Sequence, residues 1–164
     1  MHIMIDLETL GTKPDCAILA IGACNDEGHT LYVKISIESN LRLGREIDAS
    51  TLRWWMEQSD EARKEAFSGK EELAAALLKL RFFIKQYPKP VVWGNGATFD
   101  ISILENAYGH CDIDVPWAFW NVRCFRTAMA LSPNVERCKP TLKHHALSDA
   151  KAQMMTLKMI LEAQ

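Results

Sequence analysis

Read as a pattern of apolar and polar positions, the chain opens with strands. His2 to Asp6 is a short apolar run that ends in acid, and Ala17 to Cys24 ("AILAIGAC") is a longer run of strand length. After the polar turn "NDEGH", alternation resumes from Thr30 to Ser36, so the first third predicts a three-stranded meander. From Asp48 the period lengthens. "DASTLRWWMEQ" and "SDEARKEAF" predict two short helices, and Ser68 to Glu71 ("SGKE") has the form of a capping box for a longer helix ending near Gln86. Beyond the breaks at Pro88 and Pro90, "VVWGNG" is a short apolar run closed by glycines. "FDISILENAYG" predicts a helix stopped by Gly109. A short strand at Ala118 to Val122, another helix, and the amphipathic "ALSDAKAQMMTLKMILEA" complete the pattern. A meander followed by alternating strands and helices describes an α/β sheet with mixed strand directions.

Composition narrows what such a sheet can carry. With 164 residues, 48% of them hydrophobic, residues 1–164 make one domain able to bury a real core, and any site must sit on that core. The five cysteines show no CxxC spacing, and Asp6 and Glu8 stand where a secretory signal would be apolar. The expectation is a soluble cytoplasmic protein with free, mostly core thiols. No apolar run approaches the roughly 20 residues of a membrane span. A net charge of -2 gives no global attraction to polyanions, so a nucleic-acid partner would need a local basic surface or metal ions. One basic stretch exists. Between Asn121 and Lys151, Arg123, Arg126, Arg137, Lys139, Lys143 and Lys151 outnumber Glu136 and Asp149, although Arg137 and Lys139 read equally as a solvated loop.

Four acids stand out. Asp6 and Glu8 are two apart at the end of the first strand, so they share a side if the strand continues and are merely solvated if the chain turns at Leu7. Held in the sheet, they would repel and lose solvation, raising at least one pKa unless a cation lies between them. Hard oxygen ligands without cysteine or clustered histidine favour magnesium or manganese over zinc. Asp100 follows the "GNG" turn, where it reads by itself as a first-turn helix residue stabilised by the dipole. Asp149 lies on the last helix behind the pair His144 and His145, and a histidine and aspartate four apart on a helix are commonly a surface pair.

In order and spacing, "DLETLG" (6–11), "NGATFD" (95–100) and "HHALSDA" (144–150) resemble the three motifs of the DEDDh (DnaQ-like) 3′→5′ exonuclease superfamily, DxET, Nx3FD and Hx4D. "TLRWWMEQSDEAR" (51–63) is similar to a signature of its small bacterial and phage branch, related to exodeoxyribonuclease VIII and phage exonuclease A; one mycobacterial-type branch acts on RNA. The resemblance implies an α/β, ribonuclease H-like fold, a five-stranded mixed sheet flanked by helices. It also implies a two-ion site, with Mg2+ or Mn2+ held by Asp6, Glu8, Asp100 and Asp149. Two ions about 3.5 to 4 Å apart neutralise the phosphodiester, generate the nucleophile and stabilise the leaving oxygen. By the Hx4D spacing the general base is His144, whereas helical spacing alone selects His145; the two readings differ on where the helix starts, and a start near Ala146 leaves His144 in the preceding loop, free to lean over the metals.

The same resemblance places substrate contacts at Thr9, Leu10, Asn95 and Phe99. Phe99 could equally be core, and of the adjacent Trp54 and Trp55 only one can face the core squarely. The expected partners are 3′ ends of single-stranded DNA or RNA, with no membrane, and a homodimer is compatible with the sequence. The alternative in a different class is a catalytically idle nucleic-acid-binding module on the same fold. An endonuclease of the ribonuclease H type would share the metals but not the histidine motif.

Overall fold

The computed structural model describes residues 1–163. Strands β1 (His2–Thr9), β2 (Ile18–Asn25) and β3 (Thr30–Lys34) form the expected antiparallel meander. On the other side of β1, β4 (Val91–Gly94) runs parallel to it and β5 (Val122–Cys124) parallel to β4, giving the order β3-β2-β1-β4-β5. This is the ribonuclease H-like mixed sheet. The helices are α1 (Ile37–Arg42), α2 (Ala49–Met56), α3 (Asp60–Ala66), α4 (Leu73–Lys85), α5 (Asp100–His110), α6 (Phe125–Leu131) and α7 (Ala146–Glu162). Among the described residues no helix is long and apolar enough to cross a membrane.

The two-residue period of β1 divides the protein into two layers. Ile3, Ile5 and Leu7 pack in one core cluster with Leu73, Leu77, Leu80 and Ile84 of α4 and Ile101 and Leu104 of α5. Met4, on the opposite face, packs with Phe125 of α6 and with Ala150, Met154, Leu157 and Ile160 of α7. Asp6 and Glu8 share the parity of Met4, so they leave the strand on the α7 side. A third cluster, with Leu10, Leu19, Trp55 and Ala66, seats α2 and α3 against the end of β1.

Several boundaries differ from the sequence pattern. β1 continues past Asp6 to Thr9, so the chain does not turn at Leu7. The capping box at Ser68 to Glu71 does not form: the Ser68 hydroxyl donates to Glu65 O, and Glu71 bridges to Ile35. α4 starts at Leu73, whose N–H donates to the Ser39 hydroxyl. Ser39 lies on α1, a short helix capped by Ser36 that its polar sequence concealed. Gly109 does not stop α5, which runs through it to His110. Ala118 to Val122 is mostly a 3₁₀ turn at Phe119–Asn121, and the strand follows at Val122–Cys124. All five cysteines are free, but only Cys16 and Cys24 are core residues.

Candidate active site

The acids converge because three elements meet at the C-terminal end of β1. Asp6 and Glu8 point to the α7 face, and the register with β2 shifts between Glu8 and Thr9. Such an irregularity beside a site re-aims the strand's side chains. Trp55 of α2 fixes this end by donating its indole N–H to Thr9 O at 2.9 Å.

Asp100 arrives from β4. Glycines close the strand, Phe99 caps α5, and Asp100 is the helix's first residue, fully buried. Its Oδ2 accepts the Gly96 N–H at 3.2 Å. A Cβ on Gly94 would lie 3.0 Å from that same oxygen, so the side chain rests directly against the end of β4.

Asp149 comes from the first turn of α7, which begins at Ala146. His144 therefore stands in the preceding loop, with a left-handed φ of 56°. Its ring meets Trp54 edge to face, with centroids 4.8 Å apart and planes at 89°. His145, which helical spacing alone selects as the base, is held by structural contacts. Its Nδ1 accepts the Ser148 N–H at 3.3 Å as the N-cap of α7, its ring stacks on Tyr32 at 4.3 Å, and its own N–H donates to Asp149 Oδ2 at 3.3 Å.

One oxygen each from Asp6, Glu8 and Asp149 lie within 4.8 Å of one another. Asp100 and His144 line the same cavity of about 340 Å³, together with Trp54, Asn95, Phe99 and Arg126. The acids are held where they resist ionisation. Burial, then repulsion by Asp149 and Asp100, pushes Glu8 up to about 8. Burial, then the Asp100 charge, holds Asp6 well above the carboxylate range, against the opposing hydrogen bond from Gln153. Burial likewise raises Asp100 to about 6, although backbone amides of Gly96, Asp100, Leu7 and Asn95 pull it back. Asp149 is raised by burial and partly restored by the His145 N–H. Crowded carboxylates of raised pKa are the surroundings a divalent cation relieves, so this donor set fits one. The converging ligand atoms are all carboxylate oxygens, which suits Mg2+ or Mn2+.

The remaining sequence candidates divide. Phe99 and Trp54 line both the acidic cavity and a neighbouring one of about 350 Å³ that also contains Leu7, Thr9, Ser50 and Thr51. Asn95 lines the acidic cavity. Leu10 does not reach it: its side chain is 1% exposed in the core, its N–H donates to Ala17 O, and its carbonyl accepts from Asp48 N. Of the basic stretch, Arg126 lines the acidic cavity and Lys143 an adjoining groove of about 620 Å³, while Arg137 reaches Asn95 Oδ1 at 3.5 Å. Sequence reasoning missed Gln153, a buried amide that donates to Asp6 Oδ1 at 2.8 Å. Its signal was a polar residue inside the apolar stripe of the last helix.

A family model described as the 3′-5′ exoribonuclease Rv2179c-like domain matches residues 1–161. An exodeoxyribonuclease of Enterobacteria phage T4 is 27% identical over 199 aligned positions, covering 96% of this chain and 88% of the phage protein. Among solved structures, one of exonuclease I aligns with a TM-score of 0.72 at 16% identity, covering 99% of this chain. E. coli exonuclease I in complex with a dT13 oligonucleotide aligns at 0.69 and 16% identity over 97% of this chain. The chain spans 41% and 40% of those two proteins, so the likeness speaks for the fold.

Proposed function

The chain belongs to the 3′-5′ exoribonuclease Rv2179c-like family, and from that membership together with the geometry of its acidic cavity we propose a metal-dependent 3′→5′ exonuclease. It releases nucleoside 5′-monophosphates from single-stranded or frayed 3′ ends. The observation that carries the reading is the meeting of Asp6, Glu8 and Asp149 oxygens within 4.8 Å, with Asp100 and His144 on the same cavity wall.

Asp6, Glu8, Asp100 and Asp149 would hold two divalent ions, which supply charge neutralisation of the phosphodiester and a nucleophile at neutral pH. The residues then divide the work. The cavity bordered by Phe99, Trp54 and Thr9 takes the terminal nucleoside, and stacking on an aromatic ring is worth about 1–3 kcal/mol per base without sequence preference. His144, held in its loop against Trp54, takes a proton from the attacking water. The water oxygen bonds to phosphorus as the P–O3′ bond breaks, and the O3′ of the shortened strand leaves and takes a proton from solvent. Arg126, which lines the same cavity, offers positive charge to the phosphate. An idle binding module on this fold would have no need to crowd four acids of raised pKa around one cavity.

Digestion of matched 5′-end-labelled DNA and RNA oligonucleotides with magnesium, manganese or chelator tests the proposal. The family description names RNA and the phage relative is named for DNA, so both enter the assay. The expected result is a ladder shortening from the 3′ end, mononucleotide 5′-phosphates as products, and silence in chelator. Cleavage of circular single-stranded DNA would replace the exonuclease reading with an endonuclease.

A further inference from the structure

Gln153 is an amide in an apolar place. It is 2% exposed, on the face of α7 that otherwise buries Ala146, Ala150, Leu157 and Ile160. Its Nε2 donates to Asp6 Oδ1 at 2.8 Å, while its buried Oε1 has no partner among the described residues. An unsatisfied buried carbonyl is destabilising, and methionine or leucine in the same volume would avoid that penalty. A local rule broken at a stability cost beside an active site is where function is to be sought. The amide has one useful partner. The other polar side chains acting on Asp6 are the acids Asp100, Glu8 and Asp149, none of which offers a donor while ionised.

We propose that Gln153 is a positioning residue that holds the Asp6 carboxylate in the orientation that receives a divalent cation. The proposal rests on the metal-dependent reading given above. With Asp6 ionised, as it is when a cation is bound, the amide's sense is dictated, because the reverse orientation would set Oε1 against a carboxylate oxygen. A carboxylate oxygen has two acceptor sites, so Oδ1 can keep the Gln153 hydrogen bond and still face an ion. The helix geometry makes this economical. Gln153 lies one turn after Asp149, so α7 delivers one acid to the cavity and fixes another that belongs to β1.

The test compares Gln153→Met and Gln153→Leu with wild type and with Asp6→Asn. Mn2+ binding to the free protein is measured by calorimetry, unfolding is followed in chelator, and kcat and KM are obtained on one oligonucleotide. Outer-sphere partners of metal ligands are typically worth 10- to 100-fold in affinity, so Mn2+ should bind roughly 10-fold or more weakly to both glutamine variants. Their melting temperature in chelator should stay level or rise, and at limiting metal kcat should fall with KM little changed. Wild-type Mn2+ affinity in either folded variant overturns the proposal, as does failure of both to fold, since Gln153 would then be a core residue. The Asp6→Asn control separates the two levels. If it binds Mn2+ like wild type, the metal reading itself falls; if it loses Mn2+ while the Gln153 variants keep it, only the positioning role falls.

Discussion

Gly22 and Ala146 meet backbone to backbone: a Cβ on Gly22 would lie 2.2 Å from the carbonyl carbon of Ala146. Gly22 stands opposite Asp6 in the β1–β2 register, so the absence of a side chain there sets how closely the start of α7 approaches the acids of β1. The obstructing atoms are backbone and cannot rotate away. Gly22→Ala should therefore lift the helix and cost about 1–3 kcal/mol or more, the usual range for overpacking. Asp149 would move from Asp6 and Glu8, so nuclease activity should disappear even where the variant stays folded. Thermal unfolding and activity together check this, and an active Gly22→Ala protein would mean that the helix start does not govern the site.

The adjacent histidines should respond differently to truncation. His144→Ala should reduce turnover by roughly 10²- to 10⁴-fold, the worth of a positioned general base, with little change in melting temperature. His145→Ala removes the N-cap of α7, at about 1 kcal/mol, and also the ring stacked on Tyr32. Its main effect should be a lower melting temperature, which His145→Asn should largely restore by capping in the same place. Initial rates and unfolding curves on all three variants decide it; a His145→Ala protein as inactive as His144→Ala would make the pair a single catalytic unit.

How far the sequence reached this site depends on the kind of information each residue carries. The period of β1 leaves Asp6 and Glu8 on one side only if the strand continues, which it does to Thr9, and the motif spacing pairs His144 with Asp149 across a helix start that the structure places at Ala146. Leu10 was misassigned because a residue beside a motif need not share its cavity: the strand's end turns Leu10 into the core under Trp55. The capping box at Ser68 does not form because α4 donates its Leu73 N–H to Ser39 instead, far away in the chain. Gln153 shows in the sequence only as a polar residue in the apolar stripe of the last helix, and its role stays hidden for the same reason. Its partner Asp6 is 147 positions distant, and only the packing of α7 on β1 brings them together.

Asp6→Asn should abolish hydrolysis without unfolding the protein. In chelator it should melt at or above the wild-type temperature, because the change removes one of four mutually repelling groups whose burial opposes ionisation. Gln153 can still donate to the amide oxygen of the new side chain. A large drop in melting temperature would identify Asp6 as a structural residue, and the lost activity would then carry no mechanistic meaning.

The same acids set the direction of the pH response. Glu8, raised to about 8, and Asp100, raised to about 6, bind protons more tightly in the folded chain than in the unfolded one, where carboxylates titrate near 4. Between those limits the folded state holds more protons, so the contribution of these groups to stability falls as pH rises. Metal-free protein should therefore lose stability from about pH 5 to 8 through this site. Burial lowers the pKa of His2, which works in the opposite sense, so the comparison must isolate the acids. Glu8→Gln does so: the difference in melting temperature between it and wild type should widen steadily over that window in chelator. Saturating magnesium should stabilise wild type little at pH 5, where protons occupy the acids, and increasingly towards pH 8. A magnesium effect independent of pH, with parallel curves for wild type and Glu8→Gln, would mean that the carboxylates are not where the ion binds.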